Sequence, residues 1–136
     1  MTTAYNSVHD VLRRFQDVVE FLDTDLVSVD QKGIFGNTPL AIAAGWGDVQ
    51  AVALLIAAGA DVDAKVEDGD TPLHRAVSFG HADVVRLLIE NRASAGIRND
   101  DGLSALDAAL VEADPLILQL VRGASTWRGG QTGKVR

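Results

Sequence analysis

The residues able to do chemistry in this chain are few in kind and poorly spaced for it. Cysteine is absent, which removes a thiol nucleophile, a thiolate metal ligand and any disulfide frame. The three histidines, His9, His74 and His81, are scattered, and no carboxylate stands at a metal-ligand spacing from any of them. The 19 acidic residues lie largely in turn and helix-cap contexts, where a solvated carboxylate is ordinary, so no general acid/base pair is expected among them. Gly129-Gly130-Gln131-Thr132-Gly133-Lys134 hints at a phosphate loop. That motif would need glycine where Arg128 stands and Ser or Thr where Val135 stands, after a strand that the sequence lacks. No catalytic residue, metal site or cofactor site is predicted.

The stronger signal is a period. Thr38-Pro39-Leu40 returns as Thr71-Pro72-Leu73 and, weakened, as Ser104-Ala105-Leu106, a spacing of 33 residues each time. A repeat of that length means stacked units, none of which buries its own apolar face alone. Each unit follows from local physics. Thr38 and Thr71 can cap a helix through their hydroxyls, and Pro39 and Pro72 take the first helical position, where a missing N–H costs nothing. The short helix ends at Gly47 or Gly80, which can take the left-handed backbone that reverses the chain. A second helix then presents Val52, Leu54 and Leu55, or Val85, Leu87 and Leu88, and Gly59 ends the earlier of these.

Thr71-Pro72-Leu73-His74-Arg75-Ala76 and the turn Gly59-Ala60-Asp61-Val62-Asp63-Ala64 together resemble the ankyrin repeat, with Asp63 where that family more often has Asn. The resemblance is clear over residues 30 to 123. It implies an all-α repeat fold, an ankyrin solenoid of about four helix-turn-helix units joined by short β-hairpin-like connections. It also implies that His74 hydrogen-bonds the turn rather than serving chemistry.

The units run over about 3–35, 36–68, 69–101 and 102–123. The first holds Val8, Val11, Leu12 and Phe15 on one helix and Val19 and Leu22 on the next, followed by a hairpin at Val29 and Asp30. Asp114-Pro115 starts the last helix, and Gly123 is expected to close it early. Both end units are expected to turn polar faces outward. Residues 124–136, Gly-rich and basic, read as a mobile tail on which Trp127 is a candidate to fold back. Arg92 stands where Gly59 stood, so either Asn91 is expected to take the left-handed conformation or the turn differs.

Composition bounds the partners. The 136 residues are one domain's worth, 47% hydrophobic but only 5% aromatic, so the core must be built from Ala, Val, Leu and Ile. A net charge of −7 argues against nucleic acid and anionic membranes. The longest apolar run, Val49 to Ala60, is shorter than the ~20 residues a bilayer needs. The N-terminus does not read as a signal peptide, so a cytoplasmic protein is expected.

By the resemblance, hairpin tips and first-helix ends form a concave binding face. In the second unit these are Ile34, Phe35, Asn37 and Trp46. In the third they are Glu67, Asp68, Asp70, Ser78 and Phe79, and in the fourth Asp100, Asp101, Leu103 and Glu112. Trp46 and Phe79 share the 33-residue spacing, which places them side by side on one surface, with the acids as a fringe. Apolar centre and charged rim is how protein interfaces are laid out. The expected function is non-catalytic binding of one protein partner, a basic one on the reading that the acids steer it, by a single copy of the chain. A general adaptor or scaffold, a dedicated inhibitor such as an immunity protein against a basic toxin, and a hydrolase using concave carboxylates are the readings that compete.

Overall fold

The computed structural model describes residues 5–16, 29–33, 35–112 and 114–132. Val19, Leu22 and Ile34 lie outside these, as does the side chain of Trp127. Among the described residues there are seven α-helices and no strand: α1 Val8–Gln16, α2 Pro39–Trp46, α3 Val49–Ala57, α4 Pro72–Ser78, α5 Ala82–Glu90, α6 Ala105–Glu112 and α7 Pro115–Thr132. The first helices α2, α4 and α6 stack on one another as one layer. The second helices α3, α5 and α7 form the layer behind, and α1 packs on α3.

The starts of the helices come directly from sequence. The Thr38 hydroxyl accepts the Ala41 N–H at 3.3 Å, and the Thr71 hydroxyl accepts that of His74 at 3.3 Å. The His74 ring answers, its Nδ1 accepting the Thr71 N–H at 3.0 Å. Its Nε2–H donates to the Leu103 carbonyl at 2.8 Å, which ties α4 to the next hairpin. In the last unit Asp107 occupies the register of His74. Ser104 and Asp107 exchange bonds of 2.9 and 3.1 Å, a reciprocal cap made from a different pair. The Ser104 backbone N–H and hydroxyl, with Arg98 nearby, hold the Asp107 carboxyl below its ordinary value of 3.8.

Gly47 and Gly80 end the first helices with φ of 76° each. A side chain at position 47 would also run into the His81 ring, whose Nε2 bonds the Gly45 carbonyl at 2.8 Å. Leu40, Ala43 and Ala44, Leu73 and Ala76, and Ala105 and Ala109 are fully buried between first helices. Small residues at these registers let the helices approach closely. Val52, Leu55, Val84, Val85 and Leu88 fill the space behind, each contributing about 1.5–3 kcal/mol of apolar burial.

The three hairpin tips repeat one frame. Gly33, Val66 and Asn99 donate their N–H to Asn37, Asp70 and Leu103 carbonyls at 2.9, 2.8 and 2.8 Å. Their own carbonyls accept the N–H of Gly36, Gly69 and Gly102 at 2.9 Å each. Those glycines have φ of 86°, 74° and 79°, the left-handed residue that such a turn demands. Carboxylates tie one hairpin to the next: Asp30 accepts the Asp61 N–H at 2.9 Å and Asp63 that of Ser94 at 2.8 Å. At the N-terminus Tyr5 exchanges backbone bonds with the Gln50 amide and donates its hydroxyl to Asp48 at 2.8 Å.

Three sequence expectations are corrected. Gly123 does not close the last helix, for α7 continues to Thr132 and so takes in part of the expected tail. Gly123 carries no left-handed φ and no neighbour that would force a turn. Arg92 itself takes the left-handed conformation, φ 71°, while Asn91 stays at φ −100°. Bonds from Arg92 N–H to the Ile89 carbonyl and from Ala93 N–H to the Leu88 carbonyl, at 2.9 and 3.0 Å, hold it there. The last unit does not turn a polar face outward: Leu110, Val111 and Leu116 are exposed.

Candidate functional site

The candidate surface is made by the tips and the ends of α2, α4 and α6. Trp46 ends α2 and Phe79 follows α4, and stacking places both on the wall of one shallow cleft of about 210 Å³. Ala41, Ile42, Gly45 and Arg75 complete the lining. The Phe79 ring lies over the Gly45 turn of α2, where even a Cβ would make only ordinary contact with it. Trp46 is 45% exposed and Phe79 63%. Neither ring is tucked inside.

Trp46 is nonetheless held in place from behind. Its ring stacks on the buried Phe15 ring, with centroids 5.0 Å apart and planes 7° from parallel. The Arg14 guanidinium lies 5.5 Å from its centroid. Such contacts, each on the order of 1 kcal/mol, fix the indole before anything binds. An anchor that is already ordered loses little entropy on association.

The tips divide into residues that face outward and residues that hold the tips. Phe35, Glu67, Asp68, Asp100, Asp101 and Leu103 are exposed, as are Ser78 and Glu112 at the ends of α4 and α6. Among the described residues the carboxylates of Asp68, Asp100, Asp101 and Glu112 form no ion pair. Asn37 is buried, and its side-chain oxygen accepts from Arg75 at 3.1 Å and from the Glu67 N–H at 3.4 Å. Asp70 is half-buried, accepting from Arg75 at 3.2 Å and from the Asn99 amide at 3.0 Å. Arg75 also donates to the Glu67 carbonyl at 3.2 Å. Asn99 in turn accepts the N–H groups of Asp101 and Leu103 at 3.0 Å each. One polar chain, Asn37–Arg75–Asp70–Asn99, thus runs through all three tips.

Tips two and three also touch through their backbones: the Asp100 N–H donates to the Asp68 carbonyl at 2.9 Å. Gly69 makes that approach possible, because a Cβ there would collide with Asp100. Asp68 accepts a left-handed φ of 65° to fit, a conformation Asp tolerates better than most residues.

Sequence reasoning named the two rings and the outward acids, and it set Phe15 on the apolar side of the first helix; it did not see that Phe15 and Arg14 support Trp46 or that Arg75 joins the tips. Phe15 carried a signal in its helical spacing from Val8 and Val11, whereas Arg75 occupies the one free position of the Thr-Pro-Leu-His-x-Ala core.

An apolar side chain can enter between Trp46 and Phe79, and cations can meet the outward acids. A larger cavity of about 720 Å³ lies between α5 and α7, away from the tips. Ile89, Leu116, Leu120 and Ala124 line it, with Glu90 as its single carboxylate beside Arg86 and Arg92. Among the described residues no group of three or more His, Cys, Asp and Glu side chains is placed to hold a metal ion. No helix among them is long and apolar enough to cross a membrane.

A family model described as ankyrin repeats (3 copies) matches residues 3–101 and, in a second placement, residues 59–126. No curated protein matches the chain.

Proposed function

The chain belongs to the ankyrin repeat family, whose members are generally protein–protein interaction modules, and from that membership we propose that it is a non-catalytic module gripping one protein partner with its tips and first-helix ends. The observation that carries this reading is the pair of rings, Trp46 and Phe79, standing 45% and 63% exposed on the wall of one cleft. Large aromatic side chains held in place at a surface are the residues on which interface energy concentrates. Asp68, Asp100, Asp101 and Glu112, without ion-pair partners among the described residues, steer a basic partner toward the cleft. Asn37 and Asp70 support the tips from within rather than touching the partner.

Binding acts by occupancy: the docked partner is blocked, recruited or stabilised. The acidic fringe favours the inhibitor version, in which a basic toxin or enzyme is neutralised, over a general scaffold. The test uses wild type and the Trp46→Ala/Phe79→Ala double variant as baits. A protein held by wild type should bind the variant with a dissociation constant raised on the order of 30- to 1,000-fold, the loss of about 2–4 kcal/mol. Equal recovery of that protein by a folded variant refutes the reading. Co-expression with the products of adjacent genes separates the versions: rescue from a toxic neighbour supports the inhibitor.

A further inference from the structure

Three residues on the wall of the cavity between α5 and α7 are poor choices for folding. Arg92 takes a left-handed φ of 71° in the register of Gly59, a conformation that only glycine adopts without strain. Gly123 stands inside α7 with open space where its Cβ would be, although almost any other residue stabilises a helix interior better. Leu116 is 45% exposed, in the register of Asp83. All three line the same space of about 720 Å³. Residues that cost stability and gather at one place point to a site kept for something other than the fold.

The repeat shows how this space arises. The preceding second helix, α5, carries Asp83 and Glu90 at the positions that α7 fills with Leu116 and Gly123. One carboxylate is thus replaced by an apolar side chain and the other by none. On the facing wall, Arg86, Glu90 and Arg92 stand where α3 and its turn have Ala53, Ala57 and Gly59. Two guanidinium groups against one carboxylate leave this lining positive, in a chain whose net charge is −7. Among the described residues Arg86 forms no ion pair.

We infer that the cavity binds a small apolar molecule with one anionic head group. Its chain lies against Ile89, Leu116 and Leu120 in the space that Gly123 leaves, and its charge is met by Arg86 and Arg92. The volume falls within the ~300–1,000 Å³ of sites that hold drug-sized molecules, which are apolar with a few polar groups that fix orientation. Guanidinium offers paired N–H donors that match a carboxylate or a phosphate head. The site lies on the layer of second helices and contains neither Trp46 nor Phe79.

Calorimetric titration of the full chain with decanoate, decyl phosphate, decanol and decyltrimethylammonium tests this. At least one of the two anions should bind at one per chain, and the tighter of them identifies the head group. Decanol should bind about 10-fold more weakly or worse, and the ammonium compound not at all. Gly123→Leu fills the space and should weaken the anion at least about 30-fold, and Arg92→Gly should weaken it about 10-fold. Both variants should keep or raise the thermal midpoint of the unliganded protein, so their loss of binding does not come from misfolding. Glu90→Gln should tighten binding, and Trp46→Ala/Phe79→Ala should leave it unchanged. No saturable binding of either anion, decanol or the ammonium compound bound as tightly as the anions, or undiminished binding in Gly123→Leu each overturns the inference.

Discussion

Arg75→Met removes the guanidinium that ties the hairpin tips while keeping an apolar stem in the aromatic cleft. Three bonds go with it: to Asp70 at 3.2 Å, to Asn37 at 3.1 Å and to the Glu67 carbonyl at 3.2 Å. The side chains of Arg75 and Asp70 are only 18% and 20% exposed, so the pair is not the solvent-bathed kind that contributes ~0–1 kcal/mol. Deleting a hydrogen bond to a charged group costs about 1.5–3 kcal/mol, but the three losses do not add. Asp70 keeps the Asn99 amide and Asn37 keeps the Glu67 N–H, so the carboxylate and the amide left behind are not orphaned. The expected total is therefore about 2–3 kcal/mol. Arg13→Met is the internal control. It deletes an ion pair with Asp10 whose side chains are 78% and 32% exposed, and should cost less than ~0.5 kcal/mol. Urea unfolding at equilibrium reads both, from the shift in midpoint at a common slope. Amide exchange supplies the local signature: Glu67, Gly69 and Asp100 should exchange faster in Arg75→Met than in wild type. A cost no greater than that of Arg13→Met, or tip amides protected as before, would refute the claim that one side chain sets the tips.

Other outcomes follow from the same structure. Burial and the neighbouring Asp48 push the Tyr5 pKa from its ordinary value of 10.0 up to about 12. The folded chain thus holds this proton where the unfolded chain releases it. Its stabilising contribution is complete below about pH 10 and is lost between about pH 10 and 12, at about 1.4 kcal/mol per unit of pH. Subtracting the pH profile of Tyr5→Phe from that of wild type should isolate this slope, and a flat difference counts against it. Arg92→Gly should raise stability by about 1 kcal/mol, because φ 71° costs glycine nothing; a lowered thermal midpoint would contradict this. Gly123→Ala should add about 0.5–1 kcal/mol, since it lies inside α7 with open space at its Cβ. Gly69→Ala, with φ 74° and Asp100 in the way, should instead lower stability by more than ~1 kcal/mol, and calorimetry on the pair should show opposite signs.

What could be read from sequence was whatever a few neighbouring residues decide among themselves. The reach of the Thr38 and Thr71 hydroxyls, the missing N–H of Pro39 and Pro72, and the left-handed turns at Gly47 and Gly80 are local matters, and the 33-residue period multiplies them. Features set across units stayed hidden. Asn37 and Phe35 look equally outward in the sequence, but Asn37 turns in because Arg75 reaches it from the next unit. Trp46 was legible as an exposed ring, whereas its support came from Phe15 and Arg14 in a unit without the Thr-Pro signature. Arg92 defied its own backbone preference because carbonyls of α5 and the buried Ala93 fix the turn. Gly123 misled for the opposite reason: a glycine permits a stop, and nothing around it demands one.

The contact between the second and third tips joins the Asp68 carbonyl to the Asp100 N–H, and both atoms belong to the main chain. What projects from position 100 is therefore incidental to how these loops hold each other, provided position 69 stays bare and position 68 keeps a residue that tolerates its φ of 65°. Lineages carrying such a stack can exchange the side chain at position 100 freely, and that at position 68 among residues at ease in a left-handed turn, while the frame beneath goes unaltered.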